Sequence, residues 1–167
     1  MTSLIESPDF FLRQFQQYYT ERDIRNDWAE PAEESPYASF ILRFDEIGER
    51  SAVMDLELCF LPGLEALSQE GAYILQSFAV MTANVSPAAY EGLLTEIARI
   101  NIQLPVGAFG LFTDTGVLYF KHNTMLHSEW LRSQVALEHV DRQNALIVHQ
   151  LYLFSDRLLD LAGIPRE

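Results

Sequence analysis

Residues 86–122 read SPAAYEGLLTEIARINIQLPVGAFGLFTDTGVLYFKH, and the fold is decided in this stretch. Ser86 offers a capping hydroxyl and Pro87 a fixed φ suited to the first helical position, which predicts a helix from Ser86 to about Gln103. Along it Tyr90, Leu93, Leu94, Ile97, Ile100 and Leu104 form one apolar stripe, with Glu91, Thr95 and Arg99 on the other side. Pro105 stops it. Two apolar runs follow, Gly107–Phe112 and Val117–Phe120, joined by Thr113-Asp114-Thr115-Gly116. The link ends in a glycine free to take positive φ, so the stretch from Gly107 to about His122 is a predicted hairpin.

Upstream, a period of two takes over. Ala38, Phe40, Leu42 and Phe44 alternate with Tyr37, Ser39, Ile41 and Arg43. After Asp45–Arg50, which holds Gly48, Ala52, Met54, Leu56, Leu58 and Phe60 alternate with Val53, Asp55, Glu57 and Cys59. Each run buries one face, and together they predict an antiparallel hairpin. Tyr73–Thr82 is apolar on both parities, which predicts a third strand placed centrally in the sheet.

At the amino-terminal side, Asp9 follows Pro8 as a predicted cap, and Phe11, Phe15, Tyr18 and Tyr19 mark an amphipathic helix ending near Trp28. Ala29–Pro36 carries two prolines and three glutamates and forms a solvated connection. At the other end Ser128 is the predicted cap of a helical region from Glu129, with His139 a candidate break. Its later part repeats Ile147, Leu151, Phe154, Leu158 and Leu161, and Gly163 and Pro165 terminate it. The order is helix, three strands, helix, two strands, helix: an α+β fold in which an antiparallel sheet packs against helices, as one domain over residues 1–167.

Lys and Arg number 11 against 24 Asp and Glu, a net charge of −13, while 49% of residues are hydrophobic. That balance describes a folded acidic protein. Its negative surface repels phosphate backbones and anionic headgroups, so neither nucleic acid nor membrane is expected as a partner. Met1–Phe10 holds Glu6 and Asp9, no basic residue and no apolar run of h-region length, and does not read as a signal peptide. The single Cys59 sits between Leu58 and Phe60 and reads as a buried small hydrophobe, which suits a reducing cytoplasm.

The triplet Asp114-Thr115-Gly116 matches the one that carries the catalytic aspartate of retroviral-type aspartic proteases, but between two apolar runs it is what a hairpin turn requires. His122, His127, His139 and His149 fall in no zinc-type spacing. On one helix His139 and His149 would stand about 15 Å apart, too far to share an ion. Gly-x-Ser-x-Gly and the phosphate-cradling glycine patterns are missing from the sequence. No catalytic residue, metal ligand or cofactor is therefore assigned. The aromatics Phe10, Phe11, Phe15, Tyr18, Tyr19 and Trp28 cover more than one narrow helix face. Phe11, Tyr19 and Trp28 are the candidates for contact with a partner, with core packing as the competing role.

The order of elements, and above all Leu93–Leu126, LLTEIARINIQLPVGAFGLFTDTGVLYFKHNTML, where a helix leads through Leu-Pro-x-Gly-Ala-Phe into paired strands, resembles the class I type III secretion chaperones and the YbjN-like proteins. The resemblance implies a non-enzymatic, acidic, cytoplasmic homodimer, chaperone-like or a regulatory adaptor, that holds a segment of a client protein. Carried over by position, it makes Tyr90, Leu94 and Ile97 candidates for the dimer interface, with core packing again competing. Exposed edges of an antiparallel sheet could accept a client strand, and shallow apolar patches its side chains. The rival expectation is a small enzyme or ligand-binding protein with a cleft that the motifs do not advertise.

Overall fold

The computed structural model describes residues 7–166. Met1–Glu6, the greater part of the segment read above for a signal peptide, lies outside the described residues. The elements are α1 (Asp9–Thr20), β1 (Asn26–Ala29), β2 (Ser39–Ile47), β3 (Ala52–Phe60), α2 (Glu65–Gln69), β4 (Ala72–Thr82), α3 (Tyr90–Asn101), β5 (Ala108–Phe112), β6 (Val117–His127) and α4 (Gln134–Leu161). Six strands form one antiparallel sheet in the order β1-β2-β3-β4-β6-β5. The α+β class and the predicted order hold, with β1 and α2 added.

The alternating strand residues decide where the core lies. Phe40, Leu42, Leu56, Leu58, Phe60, Leu75, Leu118 and Phe120 are fully or almost fully buried, and they point to one face. Onto it α1 sets Phe11, Leu12, Phe15 and Tyr19, α3 sets Leu93, Ile97 and Ile100, and α4 sets Leu137, Val140, Ile147, Leu151 and Leu158. Ring contacts tie the layers: Phe11 meets Phe60 edge-on at 6.4 Å, Tyr19 stacks on Phe40 at 6.1 Å, and Phe109 meets Phe154 at 6.4 Å. These three helices all cover the same side of the sheet, and among the described residues its opposite face is left open.

Several local expectations are corrected. α1 ends at Thr20 rather than near Trp28: Asp23 takes a positive φ of 57°, and Asn26–Ala29 pairs with β2 instead. Asp9 does not cap α1; its Oδ2 accepts the Ala38 N–H at 3.0 Å and ties the helix to the approach of β2. Pro87 opens a 3-10 turn, Pro87–Ala89, ahead of α3, and the Ser86 hydroxyl makes no capping bond. β6 runs on to His127, so the cap of α4 is Ser133, whose Oγ accepts the Ala136 N–H at 3.1 Å, and no break occurs at His139.

His122 lies on the helix-covered side of β6, with its Nε2 buried and unpartnered. Burial pushes its pKa below the ordinary 6.5, and a hydrogen bond with Gln143 opposes that shift. A depressed folded pKa means that below about pH 6.5 the unfolded chain binds the proton more readily, so stability is full above that pH and is lost as pH falls through the folded pKa. His122→Gln is expected to flatten the fall in urea midpoint between pH 7 and 5; an unchanged slope would show that His122 does not contribute to it.

Candidate functional site

The open face of the sheet is the surface that the fold leaves unpartnered. Strand register places Ile41, Glu57, Phe78, Lys121 and Ala108 side by side in one row across it. A second row holds Ser39, Cys59, Gln76 and Asn123, and a third holds Val80, Tyr119 and Gly110. Met125 lies opposite Ile74. Exposure here is high for such residues: 62% for Val53, 45% for Val80, 43% for Phe112 and 59% for Met125. Among the described residues no helix covers these side chains, and the row of Gln76 and Asn123 separates Met125 from the rest.

Its centre is an aromatic ladder. Tyr119 stacks on Phe112 at 4.3 Å and on Phe78 at 5.3 Å, from diagonal positions on neighbouring strands. Gly110 makes this possible: a Cβ there would lie 2.4 Å from Cζ of Tyr119, so only glycine lets the ring lie flat over β5. Beside the ladder, Ile41, Arg43, Val53, Asp55, Glu57, Phe78 and Val80 line a shallow depression of about 440 Å³. Arg43 grips Asp55 with two hydrogen bonds of 2.8 Å, and these hold the Asp55 carboxyl below the usual carboxylate range. Glu57 accepts the Ser39 hydroxyl. Burial raises the Cys59 thiol pKa, which leaves it a weak nucleophile.

The sheet edges are less available than the sequence suggested. On β5 the Asn101 side chain donates to the Phe109 carbonyl at 3.0 Å and accepts the Phe109 N–H at 2.9 Å, occupying both backbone groups as a neighbouring strand would. Gln150 does the same for Val106 just before the strand. On β1 the Asp27 carboxylate takes the Trp28 N–H at 2.8 Å. Side chains thus blunt both edges, which disfavours the addition of a further strand.

The residues singled out from sequence sort differently. Phe11 is fully buried and Tyr19 nearly so, which makes both core residues rather than partner contacts. The Tyr19 hydroxyl donates to Asp141 at 2.6 Å and accepts from Asn144 at 3.1 Å, joining α1 to α4, and burial raises its pKa strongly. Trp28 is half-buried on the core side of β1, opposite Phe40, with the Arg13 guanidinium 3.5 Å over its ring. On α3, Ile97 is buried, Tyr90 half-buried and Leu94 exposed; spaced at i, i+4 and i+7 they share one side of the helix, with Leu94 the one that stands clear of the core. Asp114 sits exposed in the β5–β6 turn. Among the described residues no cluster of three His, Cys, Asp or Glu side chains is placed to hold an ion, and no helix is long and apolar enough to cross a membrane.

Val53, Phe78, Val80, Phe112, Tyr119 and Met125 were missed as site residues. Their signal was present, since Tyr73–Thr82 is apolar on both parities, but it reads equally as a strand covered on both sides. Compared with known proteins, the chain matches no family model and no curated protein.

Proposed function

We propose that this chain is a non-enzymatic, cytoplasmic protein-binding domain, chaperone-like or a regulatory adaptor, whose working surface is the open sheet face. The observation that carries the reading is the uncovered ladder of Phe78, Tyr119 and Phe112 flanked by Val53 and Val80. Such a surface receives the apolar side chains of an extended client segment, and Glu57 beside it suits a basic residue in that segment. The resemblance to the secretion chaperones and YbjN-like proteins supports the same reading at the level of fold alone.

The test is affinity capture from cell extract with the native chain and with Val53→Asp/Val80→Asp, two exposed positions whose substitution leaves the core intact. Proteins reproducibly enriched by the native chain are expected to be lost with the variant while circular dichroism and Tm stay unchanged. Enrichment of no protein, together with a small molecule that raises the Tm, would favour the rival ligand-binding class.

A further inference from the structure

We infer that a second copy of this chain covers the open face when no client occupies it, the two sheets packing face to face about a two-fold axis that runs along β4. The inference rests on the reading of that face as a docking surface and names its resting partner.

The charge pattern selects the axis. In the central row, Phe78 of β4 has Glu57 of β3 on one side and Lys121 of β6 on the other. Each lies one strand spacing, about 4.8 Å, from the middle. A two-fold axis along β4 brings every residue opposite the one at equal distance on the far side of the second copy. Phe78 then meets its own counterpart, and Glu57 meets the second copy's Lys121, twice by symmetry. An axis along β3 would set Glu57 against Glu57, and one along β6 would set Lys121 against Lys121; both are repulsive.

Neighbouring rows fit the same axis. Gln76 lies on it, with Cys59 opposite Asn123, and Val80 lies on it as well. Ile41 comes to rest against the small Ala108, large side chain against small, as sheets must interdigitate to pack about 10 Å apart. Charge does not oppose the approach: with Arg25, which precedes β1 and pairs with Asp45, the face carries Asp27, Asp45, Asp55 and Glu57 against Arg25, Arg43 and Lys121, one net negative charge out of the chain's −13. The remaining negative charge lies elsewhere. An isologous contact of this kind closes as a dimer and leaves no open face to propagate.

Light scattering on the native chain at tens of micromolar is expected to give twice the 19.1 kDa of one copy. Lys121→Glu is expected to raise the dimer Kd at least ~10-fold, because two carboxylates then oppose each other, and Glu57→Lys/Lys121→Glu is expected to restore it. In a Cys59→Ser background, Gln76→Cys on the axis is joined to its counterpart by a bis-maleimide that spans the ~10 Å between the sheets, whereas Leu94→Cys on α3 is not. A mass of one copy across the concentration range overturns the inference, as does a dimer that Lys121→Glu leaves unchanged or that Leu94→Cys cross-links. If the chain is monomeric yet Val53→Asp/Val80→Asp abolishes capture of clients, the face remains a docking surface and only the second copy is rejected. Should capture also persist in that variant, both readings fall.

Discussion

Replacing Phe11 with alanine is expected to lower the unfolding free energy by about 3–5 kcal/mol, the cost of emptying a closed aromatic site. The ring is fully buried, meets Phe15 edge-on at 5.1 Å and Phe60 at 6.4 Å, and joins α1 to the middle of the sheet. Against a domain stability of about 5–15 kcal/mol, a loss of this size is a large fraction of the whole. Urea denaturation should show a lower midpoint with little change in slope. The same residue read from sequence as a partner contact would behave in the opposite way, losing client capture with stability within about 0.5 kcal/mol of native. A cost below about 1 kcal/mol would therefore remove Phe11 from the core.

Gly107→Ala is the second large effect. Gly107 has φ +66°, and a Cβ there would stand 2.7 Å from the Lys121 carbonyl oxygen and 2.4 Å from Cζ of Phe120. The left-handed backbone costs an L residue about 1–2 kcal/mol, and forcing the methyl against β6 adds about 1–3 kcal/mol. The sum, about 2–5 kcal/mol, should appear as a lower urea midpoint. Gly92→Ala is the contrasting variant. Gly92 lies within α3 with no heavy atom within 4 Å of the added Cβ, so alanine there should stabilise the chain by up to about 1 kcal/mol through helix propensity. If both substitutions destabilised equally, neither the strain at Gly107 nor its absence at Gly92 would account for them.

The parts legible in the sequence are those whose cause is local. Alternation fixed β2 and β3 and which of their residues are buried, the polar link ending in Gly116 fixed the β5–β6 turn, and the Ile147–Leu158 repeat fixed the long final helix. β1 escaped because its four residues are too few to show a period, and Trp28 within it looked like the end of a helical stripe. The ends of α1 and α4 were misplaced for a related reason: Asp9 and Ser128 are acceptable caps, but Ala38 claims the Asp9 carboxylate and β6 extends almost to Ser128.

The docking face was less legible. Phe11 and Tyr19 were named as partner contacts because an aromatic-rich helix shows more apolar surface than one stripe needs, yet the sheet on one side and α4 on the other absorb it. The face itself consists of residues that alternate correctly with the core and differ from it only in having nothing above them. Periodicity shows that a strand has two sides; how many sides are covered depends on where distant helices come to rest, and α1, α3 and α4 all come to rest on one. The sequence by itself determined an acidic α+β chain, most of its strands and the turn at Asp114. Only the tertiary structure decided that Val53, Phe78, Val80, Phe112 and Tyr119 face outward, because exposure is set by packing between elements far apart in the chain.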